Sequence, residues 1–389
     1  MAQAHLLDIT RLASRLGRGA LTGIDRVELA YLTHFLGQAA PLFGLVRTRF
    51  GYLLMARDGC QKLADLAVTS GPLPRAKWGH SRPGAALLRP LCAARQPHFW
   101  LTALLRAVPR GALYFNVGHS NLTSSALSAM GQAGLTRAVL VHDTIPLDHP
   151  EFARQGTIAP FAKKMKAVSQ HADLVIHISQ DARAKTETHL AAFGRVPPGV
   201  TAPLGLVLAA PQAAPFTPSR PYFVALGTIE PRKNLALLFD IWEEMALQES
   251  APQLVVIGAK GWASAAQFAQ MARLVRAGAV IHGENLSDGA VVTLLQGAIA
   301  LLFPSLAEGY GLPPVEAAAL GTNVVAADLP VLRETCGNFA VYLNPLDSYS
   351  WMDTIQSLAM AWPQDKNFRS TRDLPKWADH FKAVLTQLG

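Results

Sequence analysis

The stretch LFPSLAEGYGLPPVEAAALGTNVVAA, residues 302–327, joins the end of a strand to a turn and a helix. An apolar run at 298–303 predicts a buried strand, which Pro304 ends. Pro313 and Pro314 predict a helix start, because the first helical N–H groups have no partner within the helix and proline lacks that donor.

Two carboxylates flank this predicted helix start. Glu308 lies in a turn with Gly309 and Gly311, and Glu316 lies on the helix. Because a helix N-terminus combines free N–H groups with the positive end of a dipole, it favours a phosphate. Acidic side chains beside a phosphate are expected to hold hydroxyl groups and not the phosphate itself. Sugar hydroxyls are the first candidates for these groups. The alternative is an ordinary strand–turn–helix unit with surface carboxylates.

The spacing of Glu308 and Glu316, with seven residues between them in EGYGLPPVE, resembles a known signature. It is similar to the E-x7-E motif of retaining, nucleotide-sugar-dependent glycosyltransferases of family-4 type (glycosyl transferases group 1). The resemblance implies the α/β GT-B fold, in which two Rossmann-like, doubly wound parallel-sheet domains face a cleft. It also implies that Glu316 binds the donor ribose and that Glu308 holds hydroxyls of the transferred sugar. By the same resemblance, further donor-binding residues are Gly309, Tyr310, Gly311 and Leu312.

Length and composition allow two domains. The chain has 389 residues, half of them hydrophobic, so each domain can bury a full core. The three cysteines are scattered without metal or disulfide spacing, which suits a reducing cytoplasm. With no basic segment and apolar run at the N-terminus, and no run of about 18 apolar residues, we expect neither a secretory signal nor a membrane span.

Positive charge is concentrated in the first half. The net charge is +8, and residues 66–142 contain no acidic residue. An anionic partner is expected there. Nucleic acid fits poorly, because no RNA-binding motif, zinc finger or helix-turn-helix is recognisable; an anionic membrane face or a lipid-diphosphate acceptor fits better. The basic residues of this region are Arg75, Lys77, Arg82, Arg89, Arg95, Arg106, Arg110 and Arg137.

Strands alternate with helices along the first half, with strands predicted at 112–117, 138–141 and 173–178. This alternation predicts a parallel, doubly wound sheet, which binds ligands beyond the carboxyl ends of its strands. His119 and Asn121 follow one strand, and His142 and Asp143 follow the next. The segment VHDTIPL also resembles the family, which implies that His142 contacts the donor sugar; a strand-capping histidine is the alternative. Asp143, His119 and Asn121 are acceptor-side candidates.

Two further segments of the first half have competing interpretations. A helix begins near Ile24, and by resemblance Thr22 and Gly23 match a glycine-rich loop that approaches the donor phosphate; a simple capping turn is the alternative. The spacing of Gly17, Gly19 and Gly23 does not fit a dinucleotide fingerprint. An apolar stripe at 98–108, which includes Phe99 and Trp100, predicts a helix that either lies at a membrane interface or packs on the core.

A proline-rich stretch at 208–221 is predicted to link an acceptor-side domain, 1–207, to a nucleotide-sugar-binding domain, 222–373. The second half should contain strands at 222–226, 254–257, 280–282, 298–303, 323–326 and 340–343. A last helix within 374–389 is expected to cross back to the first domain. Two such halves form a cleft that could hold a nucleotide sugar.

The sequence GTIEPRKN, residues 227–234, places Arg232 and Lys233 just before a helix predicted at 235–247. Two cations and a helix start suit a diphosphate, and by resemblance Lys233 binds it. Thr228 stands where some relatives have an arginine, and a solvated Arg–Lys pair is the alternative. Gly227 and Gly258, each after a strand, permit close approach of backbone to a donor.

Taken together with the resemblance, these features predict a retaining hexosyltransferase that uses UDP- or GDP-sugar and a glycan or lipid-linked acceptor in surface polysaccharide synthesis. His142, Glu308, Lys233 and Arg232 are the predicted catalytic residues. No cofactor and no metal are expected, because the chain lacks a D-x-D pair in a loop. We expect it in the cytoplasm, with peripheral contact to the membrane. The alternatives are a nucleotide-sugar epimerase or phosphorylase of the same fold, or a non-catalytic scaffold.

Overall fold

A computed structural model describes residues 3–17, 21–69, 88–246, 251–362 and 374–389. Within these ranges the chain forms two sheets, one from each half of the sequence. No described helix is long and apolar enough to cross a bilayer.

The first sheet has eight strands in the order β4-β3-β2-β1-β5-β6-β7-β8. From β2 to β8 neighbouring strands are parallel, whereas β3 is antiparallel to both β2 and β4. The strands are β1 (His5–Asp8), β2 (Leu42–Thr48), β3 (Gly51–Met55), β4 (Ala94–Gln96), β5 (Leu113–Asn116), β6 (Thr136–Val141), β7 (Leu174–His177) and β8 (Gly199–Thr201). The helices of this half are α1 (Thr10–Arg15), α2 (Gly23–Leu36), α3 (Arg57–Thr69), α4 (Leu101–Leu105), α5 (Ser124–Gln132), α6 (Ile145–Asp148), α7 (Ile158–His171) and α8 (Gln180–Ala192).

The second sheet has six parallel strands in the order β11-β10-β9-β12-β13-β14. The strands are β9 (Tyr222–Leu226), β10 (Gln253–Ile257), β11 (Val280–Gly283), β12 (Ala300–Phe303), β13 (Asn323–Ala327) and β14 (Ala340–Leu343). The helices are α9 (Leu235–Met245), α10 (Ala265–Arg276), α11 (Asp288–Gly297), α12 (Leu312–Ala319), α13 (Pro330–Cys336), α14 (Ser348–Ala361) and α15 (Trp377–Thr386).

Each sheet is covered on both faces, as expected for strands that are apolar along their whole length. On β9, for example, Phe223 and Ala225 join the core that contains Trp242, while Val224 between them faces the opposite core. Because successive side chains of a strand point to opposite faces, this one strand serves both layers. Strand order then places the carboxyl ends of β1, β5 and β6 at one edge of the first sheet.

The last helix, α15, packs on α2 of the first domain. The Tyr31 hydroxyl lies 2.7 Å from Nε2 of His380, and the His34 ring stacks on Phe381 with 3.6 Å between centroids. Phe381 and Val384 are buried in the core of the first sheet. The chain therefore returns to its first half at its C-terminus.

The segment 208–221, predicted as a linker, contains no helix or strand. It lies along the second sheet: the Gln212 N–H donates to the Gly289 carbonyl at 3.0 Å, and the Phe216 ring lies against Gly283. The domain limits given above remain predictions, and these contacts show how the connection is held.

The predicted strands of both halves are confirmed to within two residues at each end. The helix predicted at 98–108 is confirmed over Leu101–Leu105, and its predicted bounds are wrong. His98–Trp100 forms a 3-10 turn after Pro97, and α4 begins only at Leu101. Leu101, Leu104, Leu105 and Val108 are buried, but Phe99 and Trp100 are exposed. The leucines thus define the core face, and the two aromatic residues fall outside it.

Arg75, Lys77 and Arg82 lie outside the described residues, and β4 was not predicted.

Candidate active site at the cleft between the sheets

The turn after β12 leads into α12 through a glycine that no other residue could replace without strain. Gly311 has φ +87°, in the left-handed region, and a Cβ there would lie 2.4 Å from Cδ2 of Leu332. Pro313 and Pro314 then open α12, as predicted. Glu308 stands before this helix start and Glu316 is buried in the helix's second turn.

Glu308 lies between the two predicted phosphate-binding cations. Its Oε1 is 2.5 Å from Nζ of Lys233, and its Oε2 is 3.0 Å from Nη1 of Arg232. Arg232 also contacts Glu230 through Nε at 2.5 Å and donates to the Ala307 carbonyl. The side chains of Glu308 and Lys233 are both nearly inaccessible to solvent. A solvated Arg–Lys pair is therefore excluded, because these cations are held in a buried charge cluster.

The pKa values of this cluster follow from burial and from the paired charges. Burial raises the pKa of Glu308, but Lys233 and Arg232 outweigh it and hold that pKa at about 2. Burial lowers the pKa of Lys233 despite the attraction of Glu308. Burial also lowers the pKa of Arg232, but the nearby carboxylates of Glu308, Glu230 and Asp143 raise it by more. The net shift of the Arg232 pKa is therefore upward. Glu308 and Arg232 are thus charged at neutral pH.

Two glycines shape the backbone around these cations. Gly227 has φ +144°, and a Cβ there would lie 3.1 Å from Cε of Lys233. Gly258 has φ +156°, and a Cβ there would lie 2.0 Å from the Gly227 carbonyl oxygen. The two strand ends therefore pack backbone to backbone. In this structure Gly258 provides close approach to Gly227, and its contact with a donor remains a prediction.

Glu316 contacts an arginine of the first domain. Its Oε1 lies 2.7 Å from Nη1 of Arg26, and Nη2 of Arg26 donates to the Val207 carbonyl at 3.3 Å. Burial raises the pKa of Glu316, and Arg26 partly offsets that rise. Sequence reasoning missed Arg26, because nothing local in the sequence marks a contact with a residue 290 positions away.

The first domain meets the glycine turn at the carboxyl ends of β6 and β7. A Cβ on Gly309 would lie 2.6 Å from the His142 carbonyl oxygen, so only glycine fits there. The Ser179 hydroxyl donates to the Gly309 carbonyl at 3.4 Å. Glu308 and His142, far apart in sequence, are thereby brought to the same cleft.

His142 is buried and neutral. Its Nε2 lies 2.7 Å from the Val117 carbonyl, and burial lowers the pKa of His142 to about 4. Asp143 lies beside Arg232, and burial raises the pKa of Asp143 although Arg232 lowers it in part. A small pocket opens between the domains here. Its charged lining comprises Asp143, Asp148, Asp181, Lys185 and Glu308.

The other acceptor-side candidates have contacts of their own. The His119 ring lies 5.0 Å from the His142 ring, and its Nε2 lies 3.1 Å from the Leu140 carbonyl. Asn121 is buried; its Nδ2 donates to Asp8, and its Oδ1 accepts from the Tyr52 hydroxyl. Asn121 therefore holds the buried Asp8 carboxylate in place. A role for either residue toward an acceptor remains a prediction.

The first loop ends in a cap on α2. The Thr22 N–H and hydroxyl both donate to Oδ2 of Asp25, at 2.8 and 2.6 Å, and Arg11 contacts the other oxygen of Asp25. The capping interpretation is thus confirmed for Thr22. A Cβ on Gly23 would lie 3.6 Å from Cδ1 of Leu312. Gly23 and Leu312, both predicted at the donor site, face each other across the cleft.

Other residues that the sequence did not reveal join the two domains. Glu334 on α13 accepts from the N–H groups of Gln180 and Asp181 at 2.7 and 3.2 Å, and so caps α8 of the first domain. Nε1 of Trp262 donates to the Phe152 carbonyl at 3.2 Å. Among the described residues no group of three or more His, Cys, Asp or Glu side chains is arranged to hold a metal. Metal independence remains a prediction.

Residues 209–370 match the model of the family described as glycosyl transferases group 1. This part of the chain contains the cation cluster, the glycine turn and Glu316. The matched residues are about two fifths of the chain. The resemblance stated from the E-x7-E spacing is therefore confirmed, while the family-4 and retaining assignments remain predictions.

Curated proteins similar to this chain include two bacterial mannosyltransferases. The serotype-specific mannosyltransferase WbdA of Escherichia coli is 27% identical over 236 residues, which are 56% of this chain and 29% of WbdA. The O-antigen chain mannosyltransferase RfbU of Salmonella typhimurium is 33% identical over 137 residues, which are 35% of this chain and 38% of RfbU. The matched part is thus less than two fifths of either relative.

Solved structures resemble the whole chain. The sucrose-phosphate synthase of Thermosynechococcus elongatus superposes with a TM-score of 0.63 at 16% identity and covers 99% of this chain and 98% of its own. The Anabaena protein HepE, solved with UDP-glucose, superposes with a TM-score of 0.61 at 15% identity over 99% and 98%. Identity at this level shows the fold alone, and the predicted GT-B fold is confirmed.

Proposed function

We propose that the protein is a retaining hexosyltransferase that moves a hexose from a UDP- or GDP-sugar to a glycan or lipid-linked acceptor in surface polysaccharide synthesis. The observation that carries this proposal is the cluster of Glu308, Lys233 and Arg232 beside the start of α12, with Glu316 one turn further on. The names of WbdA and RfbU support it, and they make mannose the first hexose to test.

Donor binding would use the second domain. Glu316 would accept hydrogen bonds from the ribose hydroxyls. Lys233, Arg232 and the free N–H groups of α12 would surround the diphosphate. Fixed positive groups at a leaving diphosphate stabilise the charge that develops there, by roughly several kcal/mol of the barrier. No metal is required in this scheme.

The ion pairs of the structure imply an exchange of partners when the donor binds. Glu308 now holds Lys233 and Arg232, and Glu316 holds Arg26. A diphosphate that contacts Lys233 and Arg232 would take over part of their charge. The oxygens of Glu308 would then be available to hydroxyls of the sugar, the role that the family resemblance assigns to it.

The transfer step would take place beside His142, at the turn that carries Glu308. The bond between the anomeric carbon and the diphosphate oxygen breaks, and a bond from the acceptor oxygen forms on the same face of the sugar. The acceptor proton passes to the departing phosphate oxygen, so no protein nucleophile is assigned. Because His142 is neutral and buried, it would bind sugar hydroxyls without adding charge. Asp143 and His119 would line the acceptor side.

The acceptor proposal places the protein in the cytoplasm at the membrane face. Its support is the long stretch without acidic residues, 66–142, and the O-antigen relative. The second candidate functions are an epimerase of the same fold and a non-catalytic scaffold. The intact cation cluster favours the transferase over the scaffold.

Purified protein incubated with UDP- and GDP-hexoses and a lipid-linked glycan tests the proposal. We expect transfer of one hexose, with the anomeric configuration of the donor retained in the product by NMR. Lys233→Ala should abolish transfer, and Arg273→Ala on the surface should not. An epimerised free nucleotide sugar would support the epimerase instead, and donor binding without turnover on any acceptor would support the scaffold.

A further inference from the structure

Three large aromatic residues of the first domain are exposed close together. Phe50 is 79% exposed, Phe99 77% and Trp100 54%, and the Phe99 and Trp100 rings lie 5.7 Å apart. Single exposed apolar residues are ordinary on a protein surface, but contiguous ones mark an interaction site. The function proposed above does not use these residues.

The three residues belong to one surface, because the β2–β3 turn and the 98–100 turn are in direct contact. Nε2 of His98 lies 3.2 Å from the Arg49 carbonyl. Gly51 has φ +146°, and a Cβ there would lie 2.1 Å from the Gln96 carbonyl oxygen. Phe50 and Phe99 are therefore held by packed backbone and not by independent loops.

Arginines accompany the aromatic residues, and acids do not. Arg47 and Arg49 are exposed on the β2–β3 turn, and the Arg49 guanidinium lies 5.9 Å from the Phe50 ring. The sequence has no Asp or Glu at 29–57 or at 66–142, the two stretches that build this surface. We name it the aromatic–arginine surface, which comprises Arg47, Arg49, Phe50, His98, Phe99 and Trp100.

The aromatic–arginine surface lies at the rim of the cleft. Strand β2 runs parallel to β1, so its end at Thr48 is on the same sheet edge as the end of β1. The Arg47 N–H donates to the hydroxyl of Thr10, two residues after β1, at 2.9 Å. This edge carries the predicted acceptor-side residues His119 and Asp143. Whatever binds the surface thus lies at the same end of the sheet as these residues.

We propose that the aromatic–arginine surface docks on an anionic lipid bilayer and so presents the cleft to a membrane-held acceptor. Trp and Phe rings settle at the headgroup level of a bilayer, and arginines near anionic headgroups add electrostatic attraction. A second copy of this chain is a poorer occupant, because two surfaces that carry arginines and no acids repel each other. The orientation toward the acceptor rests on the proposed function; the binding itself does not.

Flotation with lipid vesicles tests the binding. Wild-type protein is mixed with vesicles of phosphatidylcholine, with or without phosphatidylglycerol, at low and high salt. Two variants are compared with it: Phe50→Ser/Phe99→Ser/Trp100→Ser and Arg47→Gln/Arg49→Gln. The matched control, Leu346→Ser/Tyr349→Ser/Met360→Ser, removes side chains that are 79%, 78% and 83% exposed in the second domain.

We expect wild-type protein to float with phosphatidylglycerol vesicles and to dissociate at high salt. Each variant of the aromatic–arginine surface should bind these vesicles more weakly than wild type by roughly tenfold or more. The control should bind like wild type. The proposal is overturned if wild type ignores anionic vesicles, if the two variants bind as well as wild type, or if the control loses binding equally.

Two further measurements separate this proposal from the proposed function. Both variants should bind nucleotide like wild type and should transfer sugar normally to a water-soluble acceptor, while transfer to an acceptor in anionic vesicles falls. Vesicle binding without any transfer would refute the proposed transferase activity but not the membrane docking. Transfer without vesicle binding would refute the membrane docking but not the transferase activity.

Discussion

Glu308 is paired with two cations, the buried Lys233 and the partly buried Arg232. Its pKa of about 2 lies below the ordinary value of 4.5 since Lys233 and Arg232 outweigh the effect of burial. The native state therefore keeps Glu308 ionised where the unfolded chain would protonate it. The resulting stabilisation is present above pH 4.5 and is lost as the pH falls toward 2.

We expect the Glu308 ion pairs to contribute about 3 kcal/mol to the free energy of unfolding at neutral pH. Urea unfolding at pH 6 and at pH 3 should show about two thirds of this contribution, about 2 kcal/mol, because the folded pKa of about 2 lies below pH 3. Glu308→Gln should remove that share of the wild-type pH dependence. Glu243→Gln, at an exposed carboxylate that pairs with Arg273, should remove less of it. An unchanged pH dependence in Glu308→Gln would show that the cluster is not ionised as described.

Arg26 lowers the pKa of the Glu316 carboxyl group and so favours its ionised form. Burial raises the pKa of Glu316 and Arg26 opposes that rise, so removal of Arg26 should raise the pKa further. A protonated Glu316 is a weaker acceptor for ribose hydroxyls. In Arg26→Gln we therefore expect nucleotide affinity to begin to fall on acidification at a higher pH than in wild type. Calorimetric titrations over a series of pH values decide this, and coincident profiles would contradict it.

At the scale of elements, α15 depends on a neutral histidine. His380 is buried between the Tyr31 hydroxyl and the carbonyls of Ala202 and Pro203, and burial lowers the pKa of His380 to about 4. Between pH 6.5 and 4 the unfolded chain binds a proton at this histidine that the native state does not bind. Stability is thus lost as the pH falls through that window.

We expect His380 to account for at most about 3 kcal/mol of that loss. In His380→Gln the free energy of unfolding, measured by urea at pH 7 and pH 4.5, should depend less on pH than in wild type. Equal pH dependence in His380→Gln and wild type would mean that protonation of His380 does not limit stability in this pH range.

The elements that the sequence predicts best are those with a local signal. The strand, turn and prolines around Glu308 and the strands of the second half depend on nearby residues, and the structure confirms them. The bounds of the helix predicted at 98–108 are wrong, because helical spacing does not show where a helix starts. Leu101 begins it, and the preceding proline leaves Phe99 and Trp100 outside.

Contacts between distant segments are beyond this kind of prediction. The pair of Arg26 with Glu316 and the cap that Glu334 forms on α8 join residues more than 150 positions apart. Their formation depends on how the two sheets face each other, which no local pattern encodes. The structure brings His142 to the turn that carries Glu308, and the roles given to both residues stay predictions.

At the scale of the whole molecule, the two sheets form a cleft whose walls have different chemistry. The wall from the second domain holds buried cations and a helix start, whereas the wall from the first domain holds neutral histidines and, at its rim, the aromatic–arginine surface. Fold comparison confirms the arrangement of the two domains as GT-B. We expect this cleft to bind a nucleotide sugar through Glu316 and the cations.

Calorimetric titration of UDP and of GDP into the purified protein, with EDTA present, tests that claim most directly. One nucleotide should bind, and Glu316→Gln should weaken it by about ten- to a hundredfold, as for the loss of a hydrogen bond to a charged group. Glu243→Gln should bind like wild type. Equal affinity in Glu316→Gln and wild type, or no binding of either nucleotide, would contradict the claim.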